Sequence, residues 1–174
     1  MREIITHEQQ VYQGRIVKLA LLDVQLPNGE PGKREIIQHP GAVAIVALDD
    51  AGNVLLVRQY RIAADKILQE IPAGTLKPGE DPFLCAEREL QEETGFKPGK
   101  LERIGGIYPA PGYTTEFIHL FLATDLTPSP LPMDDDEFIE VDRLPLAQAV
   151  ALVDAGEICD AKSVAGLLRV ARRS

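Results

Sequence analysis

The chain has 174 residues, of which 45% are hydrophobic and 26% are charged, and its formal net charge is −9. This length suits one domain with a short accessory segment, the composition excludes a disordered chain, and no apolar run approaches the roughly 20 residues of a membrane-spanning helix. The acidic surplus disfavours nucleic acid as a partner, whereas a small anionic substrate is compatible with it if divalent metal ions lie between protein carboxylates and phosphates.

The amino-terminal part of the chain predicts antiparallel strands. Residues 14–26 and 33–38 have strand patterns, and Asn28 followed by Gly29 between them is a strong hairpin signal. The first ten residues lack the apolar segment of a secretory signal, which predicts a cytosolic protein. The two cysteines are too few for a disulfide framework and lack the spacing of a zinc site, so we expect reduced thiols.

Two apolar strands are predicted next. Residues 42–48 are nearly all apolar, which is typical of a strand buried on both faces, and residues 54–61 form the returning strand after a turn. We therefore expect an N-terminal antiparallel strand unit at residues 1–40 and one larger domain at residues 41–174.

Residues 81–94 have the clearest helix pattern in the chain. Asp81 suits the N-cap, Pro82 suits the first helical position, and Gly95 suits the residue that ends the helix. The apolar positions expected to face the core are Leu84, Ala86 and Leu90. They leave one strongly acidic face.

The remainder of the chain predicts strands and two closing helices. Strands are expected at residues 101–108, 116–123 and 137–142, and helices at residues 145–155 and 160–173. The order of strands, helix, strands and helices indicates an α+β arrangement in which helices cover a mixed sheet.

Three carboxylates lie on one side of the predicted helix. Glu89, Glu92 and Glu93 are spaced i, i+3 and i+4, and like charges at this spacing repel one another. Hard oxygen ligands gathered in this way suit Mg²⁺ or Mn²⁺, which would relieve the repulsion. A solvated acidic surface is the commoner meaning of such a run, but the Pro- and Gly-rich loop that precedes the helix favours a phosphate and metal site.

The loop and helix at residues 74–96 resemble the Nudix box, whose pattern is G-x5-E-x7-R-E-U-x-E-E-x-G-U with U apolar. Every position matches, namely Gly74, Glu80, Arg88, Glu89, Leu90, Glu92, Glu93, Gly95 and Phe96. With residue frequencies of roughly 7%, a chance match at one start is on the order of 10⁻⁸. The resemblance implies a Nudix hydrolase with an α/β/α sandwich around a mixed sheet, and a divalent cofactor, Mg²⁺, with Mn²⁺ as a possible substitute.

The resemblance also implies roles for individual residues. Glu89 and Glu93 correspond to the principal metal ligands of the family, Glu92 to a further or water-mediated ligand, and the carbonyl of Ala73 often completes the set. Arg88 corresponds, with Glu80, to residues that orient the ligating carboxylates, and a simple ion pair between loop and helix is an equally good and compatible interpretation.

Outside the box, the chain is similar to ADP-ribose and nucleoside diphosphate sugar pyrophosphatases. The runs VRQYR at residues 57–61 and QEIPAG at residues 69–74 carry part of this similarity, and Pro111 lies sixteen residues after Gly95, the offset associated with that subfamily. An ordinary Pro-Gly turn is the alternative for the last feature. The predicted substrate-binding residues are Arg58, Arg61, Glu70, Pro111, Gly112 and Glu116. For the two arginines, a structural pair with Glu70 is the alternative to a phosphate contact.

The acidic run at residues 133–141 is the predicted source of the general base. The subfamily resemblance implies a catalytic glutamate in this loop, and Glu137 aligns best with it, with Asp135 and Asp136 as competitors. Glu92 on the helix is a further candidate. The resemblance also implies a homodimer formed through the N-terminal strands.

Three alternative functions stay open at this level. Within the hydrolases, they are a pyrophosphatase for coenzyme A or dinucleotides and an enzyme that removes damaged nucleoside triphosphates. The third is a non-catalytic sensor that binds ADP-ribose, which the intact set of glutamates disfavours. The base preference of the substrate and the number of metal ions are not determined by the sequence.

Overall fold

The computed structural model describes residues 1–133 and 138–173, and within them the chain forms ten strands and three helices. The bounds are β1 (Ile4–Gln13), β2 (Lys18–Gln25), β3 (Pro31–Gln38), β4 (Ala42–Leu48), β5 (Asn53–Arg61), β6 (Lys66–Glu70), β7 (Ala73–Thr75), α1 (Pro82–Thr94), β8 (Phe96–Ile107), β9 (Ile118–Pro128), β10 (Glu140–Pro145), α2 (Leu146–Asp154) and α3 (Ala161–Ala171). The chain divides into two compact units. The first contains Met1–Gly41 and Tyr108–Phe117, and the second contains Ala42–Ile107 and Ile118–Ser174.

The first unit is a three-stranded antiparallel sheet in the order β1-β2-β3. The predicted β2–β3 hairpin is present, and Gly29 adopts a φ of 90° in its turn, a conformation that glycine allows without strain. Strand β1 was not predicted, because its residues are mostly polar and all of them are exposed. Backbone pairing with β2, and not burial, holds β1 in place.

The second unit is a seven-stranded mixed sheet. Its main path is β10-β5-β4-β9-β8, with β6 paired to β5 and β7 paired to β4. The central strands β4 and β9 are parallel, and the other pairs are antiparallel. The expected α+β class with a mixed sheet is confirmed.

Strand β4 explains how helices cover both faces of this sheet. Val43 and Ile45 point into a core with Leu90 of α1, whereas Ala44 and Val46 point into a second core with the side of α3. Successive side chains of a strand point to opposite faces, so a strand with a helix on each side must be apolar throughout. The residues of β4 are buried from Ala42 to Ala47, as the apolar run predicts.

Several strand boundaries differ from the sequence prediction. Strands β6 and β7 were missed because both are short, and because Pro72 between them and Gly74 within β7 indicate a loop. Strand β8 begins at Phe96, earlier than expected, because its pairing with β9 extends to Pro128. Its register shifts between Arg103 and Gly105, whose φ is 128°. Strand β10 begins at Glu140, later than expected.

Helix α1 has the predicted ends. The side chain of Asp81 accepts a hydrogen bond from the backbone N–H of Phe83 at 2.7 Å, Pro82 is the first helical residue, and Gly95 has a left-handed φ of 77°. The amide of Gly95 donates to the carbonyl of Gln91 at 3.0 Å. In the described part of the chain, no helix is both long enough and apolar enough to cross a membrane.

Candidate active site

The buried face of α1 carries carboxylates. Glu89 is only 9% exposed and Glu93 only 6%, whereas Leu84 is 66% exposed and does not reach the core, contrary to the sequence prediction. At about 100° per residue, Ala86, Leu90 and the two carboxylates fall within one arc of about 100°, and Leu84 lies nearly opposite the middle of that arc. The helix therefore directs two acids into the protein and leaves an apolar side chain outside.

Gly74 in β7 makes the space for one of these acids. A Cβ added at Gly74 would lie 1.9 Å from the carboxyl carbon of Glu89 and 2.1 and 2.3 Å from its oxygens. The carboxylate thus packs directly against the glycine backbone. Strand β7 is held at this position by antiparallel pairing with β4, in which Gly74 faces Val43.

Glu93 is fixed by the residue before that glycine. Its Oε2 accepts a hydrogen bond from the backbone N–H of Ala73 at 3.0 Å. The same short strand therefore receives both buried carboxylates of α1, Glu89 at Gly74 and Glu93 at Ala73. Of the residues predicted as metal ligands, Ala73, Glu89 and Glu93 lie together in the structure.

Because Glu89 is a predicted metal ligand, we expect Gly74→Ala to lower kcat by about 10- to 100-fold, the usual effect of disturbing a group that orients such a ligand. The added methyl group displaces the Glu89 carboxylate, which is the end of a flexible side chain, so the backbone can stay in place. The free energy of unfolding should fall by about 1–3 kcal/mol at most, as for other overpacked sites. Steady-state kinetics and denaturant unfolding measure the two effects.

Gly112→Ala is the matched control for stability. Its added Cβ would meet no atom within 4 Å, so the unfolding free energy should stay within about 0.5 kcal/mol of the wild type. A Gly74→Ala protein with the kcat of the wild type would show that the contact with Glu89 is not needed.

Arg88 connects three acidic side chains of the cluster. Its Nε and Nη2 donate to the two oxygens of Glu80 at 3.0 and 3.1 Å, and its Nη1 lies 2.7 Å from both Glu89 Oε1 and Glu92 Oε2. Burial opposes the charged form of Glu80, but these hydrogen bonds and one from the Lys77 backbone lower its pKa to about 2. Arg88 thus ties the loop to the helix and also contacts two of the predicted metal ligands.

The cluster is suited to a divalent cation by its chemistry. The carboxylates of Glu80, Glu89 and Glu92 contact the guanidinium of Arg88, and that of Glu93 lies against Ala73. Oxygen donors of this kind are the ligands of Mg²⁺ and Mn²⁺. Burial and the charges of Glu89 and Glu80 raise the pKa of Cys85 to about 12, as expected where the surroundings are negative. Among the described residues, no group of three or more acidic, histidine or cysteine side chains is arranged as a complete metal site. Arg88 and the Ala73 N–H contact carboxylate oxygens of this cluster.

The two arginines of β5 have different partners. Arg61 donates to Glu70 through Nε at 3.2 Å and Nη2 at 2.6 Å, and Glu70 is 2% exposed. Arg58 lies 3.5 Å from Glu140 at the surface. The sequence left open whether Arg58 or Arg61 pairs with Glu70, and the structure contains the pair of Arg61 with Glu70. Glu70 is buried and is thus a structural partner of Arg61.

Arg58 also borders a pocket of about 490 Å³. The pocket is lined by Arg58, Tyr60, Ile67, Met133, Phe138, Ile139 and Glu140. Most of these side chains are apolar or aromatic, and the guanidinium provides a positive group among them. The predicted general base Glu137 and its competitors Asp135 and Asp136 lie outside the described residues.

The remaining predicted substrate residues belong to the first unit. The backbone N–H of Ile37 in β3 donates to the carbonyl of Tyr113, and the N–H of Thr115 donates to the carbonyl of Ile37. Glu116 lies 3.8 Å from Nδ1 of His39. The roles of Pro111, Gly112 and Glu116 in substrate binding stay predictions.

Sequence reasoning missed one group beside Arg61. Lys162 of α3 lies 3.0 Å from Glu70 and 2.8 Å from Asp160, and its side chain is almost buried. Asp160 gives a local signal, because an aspartate before a helix is a common N-cap. The position of Lys162 against Glu70 depends on how α3 packs on the sheet and has no local signal.

A helix that packs buried carboxylates against a glycine-containing strand of a mixed sheet, with two further helices on the other face of that sheet, is the arrangement of a Nudix-type hydrolase fold. The NUDIX domain family model matches residues 38–167, and the chain belongs to this family and is a Nudix hydrolase. It is similar to the ADP-ribose pyrophosphatase of Bacillus subtilis (strain 168), with 43% identity over 90% of this chain and 85% of that protein.

Two further similarities extend over most of the chain. The methanol dehydrogenase activator of Bacillus methanolicus is 42% identical over 90% of this chain and 85% of its own length. A crystal structure of an ADP compounds hydrolase superimposes with a TM-score of 0.88 at 26% identity, over 99% of this chain and 94% of that one. The expected Nudix fold is confirmed.

Proposed function

We propose that the protein hydrolyses the pyrophosphate bond of ADP-ribose or a related nucleoside diphosphate sugar. Water attacks one phosphorus atom, the bond from that phosphorus to the bridging oxygen breaks, and the products are a nucleoside monophosphate and a sugar phosphate. The observation that carries the proposal is the pair of buried carboxylates, Glu89 and Glu93, held against Gly74 and Ala73. The similarity to an ADP-ribose pyrophosphatase supports the choice of substrate.

Nudix hydrolases generally need divalent cations, and we assign Mg²⁺, with Mn²⁺ as a substitute. Glu89 and Glu93, the carbonyl of Ala73 and, directly or through water, Glu92 would hold the cations. When bound, they neutralise phosphate charge and lower the pKa of a coordinated water. Arg88 keeps the carboxylates of Glu89 and Glu92 in place, which removes the need to reorganise them during the reaction.

The positive groups of β5 are suited to the anionic substrate. The side chain of Arg61 is 40% exposed although one edge of its guanidinium is bound to Glu70, so the other edge is available to phosphate oxygens. Arg58 and the apolar pocket beside it suit a ring attached to a phosphate. We assign removal of the water proton to Glu137, with Glu92 as the alternative.

A panel of substrates tests the proposal. ADP-ribose, GDP-mannose, NADH, diadenosine polyphosphates and 8-oxo-dGTP are incubated with the protein and Mg²⁺, and the products are identified. We expect the highest kcat/KM with ADP-ribose or GDP-mannose, and a monophosphate plus a sugar phosphate as products. Preferential turnover of a triphosphate or dinucleotide would replace the proposed substrate, and binding of ADP-ribose without turnover would indicate a sensor.

We expect the full-length protein to be a homodimer in sedimentation velocity at micromolar concentration. The first unit exposes a set of large apolar side chains that a second copy would bury. They are Ile4, Ile5, Val11, Tyr12, Ile16, Val17 and Leu21. Changing Val11 to Asp should shift the population towards monomer, because a charge would have to be buried in the interface.

Asn28→Asp in the turn between β2 and β3 is the matched control. Asn28 is polar and exposed, and an aspartate can still accept the hydrogen bond that the N–H of Glu30 donates to Asn28 Oδ1. This change introduces the same charge outside the apolar set and should leave the dimer intact. Sedimentation of the unmodified chain as a monomer would contradict the proposal.

A further inference from the structure

A buried group of four charges lies where β5, β6 and the start of α3 meet. Glu70 at the end of β6 accepts from Arg61 of β5 and lies 3.0 Å from the Nζ of Lys162, which in turn lies 2.8 Å from Asp160. The side chains of Glu70, Lys162 and Asp160 are nearly buried, whereas that of Arg61 is 40% exposed. One member of the group therefore faces solvent, and the others lie behind it.

The backbone that carries Lys162 is fixed on several sides. The Oγ of Ser163, which is fully buried, accepts a hydrogen bond from the N–H of Ile71 at 2.8 Å. A Cβ at Gly166 would lie 3.0 Å from both Ile71 and Val46, so α3 packs closely against the sheet. Asp160 caps α3 by accepting from the N–H of Ser163 at 3.1 Å. Lys162 thus reaches Glu70 from a rigid support.

Lys162 determines whether the buried carboxylate of Glu70 has two cationic partners or one. With Lys162 present, the carboxylate of Glu70 balances two cations, and the four charges of the group sum to zero. Without Lys162, Glu70 would have Arg61 as its one cationic partner, and the group would carry a net negative charge because Asp160 remains. Since a buried carboxylate strongly prefers a paired cation, Arg61 would then be drawn more fully to Glu70.

Arg61 has the free donors that such a change would affect. Its Nε and Nη2 are used by Glu70, and its Nη1 donates to no residue within 1–133 and 138–173. Burial opposes the charged form of Arg61, but the hydrogen bonds and charge of Glu70, followed by the charge of Glu93, raise its pKa. We infer that Lys162 is a positioning residue for the reaction. By pairing with Glu70 from the α3 side, it leaves the free edge of the Arg61 guanidinium oriented towards the phosphates of the substrate. This inference rests on the proposed function, in which Arg61 binds the substrate.

The test compares Lys162→Met, Lys162→Arg and Arg61→Gln in the full-length enzyme. For Lys162→Met, we expect KM to rise about tenfold, the effect of weakening one charged hydrogen bond, while kcat stays within about twofold because Arg61 acts in binding. Lys162→Arg should restore most of the KM. In the double variant Lys162→Met with Arg61→Gln, KM should equal that of Arg61→Gln alone, because Lys162 acts through Arg61.

Lys97→Met is the matched control, because Lys97 pairs with Glu87 on the surface and its loss changes the net charge equally. Its KM should match that of the wild type. An unchanged KM in Lys162→Met would overturn the inference. So would a double variant in which the effects of Lys162→Met and Arg61→Gln on KM multiply, because Lys162 would then act independently of Arg61. If Arg61→Gln itself leaves KM unchanged, the inference fails together with the role of Arg61, whereas failure of the proposed substrate appears separately in the panel. The kinetic ratios are measured on the substrate that the panel identifies.

Discussion

Glu93→Gln is expected to lower kcat by about 10³-fold while the fold stays intact. The effect is large because the change removes a negative charge from a preorganised site, where loss of one such group costs about 10²–10³ in kcat. The amide oxygen of glutamine can still accept the hydrogen bond from the Ala73 N–H, so the contact between α1 and β7 persists. Kinetics in Mg²⁺ measure the activity, and circular dichroism with thermal unfolding measures the fold.

Glu87→Gln is the control on the same helix. The side chain of Glu87 is 37% exposed and pairs with Lys97, so its neutralisation changes the charge of α1 without reaching the buried face. It should keep wild-type kcat. A Glu93→Gln enzyme at the wild-type rate, or full turnover of the wild type in excess EDTA, would remove the metal-dependent mechanism.

Glu137→Gln is expected to lower kcat by about 10²–10⁴, the usual contribution of a positioned general base. If Glu137 accepts the proton of the attacking water and does not hold a cation in the resting enzyme, the dependence of the rate on Mg²⁺ concentration should change little. Glu89→Gln, in contrast, should raise the Mg²⁺ concentration needed for half-maximal rate. A Mg²⁺ titration of both variants separates the two roles.

The neighbouring acids provide the comparison for this prediction. Asp135→Asn and Asp136→Asn remove the same charge within two residues of Glu137 and should retain most of the activity. A wild-type kcat in Glu137→Gln, combined with a large loss in one of the two aspartate variants, would move the base to that aspartate. If all three variants are active, Glu92 on α1 becomes the candidate.

The features that were predictable from the sequence depend on local rules. Asp81, Pro82 and Gly95 define the ends of α1 because capping and the left-handed C′ conformation involve residues adjacent in the chain. The buried strand β4 is evident because helices on both sides of a strand require apolar residues at every position. The Nudix box was recognisable for the same reason, because all of its residues lie in one continuous segment of the chain.

The features that were missed depend on tertiary contacts. The outward position of Leu84 and the burial of Glu89 follow from the rotation of α1 against β7, where Gly74 makes the necessary space. Composition alone favours the opposite assignment, with the leucine inside. Strand β1 is polar and exposed, so it has no hydrophobic pattern, and Lys162 reaches Glu70 across more than 90 residues of sequence.

The first unit is built from two separate segments of the chain, which affects how the catalytic unit could be produced without it. Its segment Tyr108–Phe117 lies between β8 and β9, and Ile107 and Ile118, on either side of it, are paired opposite each other in the sheet. The segment is thus an insertion in what is otherwise a β-hairpin. Removing residues 1–41 alone would deprive this insertion of its partner Ile37. A minimal Nudix module is better made by also replacing the insertion with a tight turn, since neighbouring antiparallel strands need only about two residues to connect.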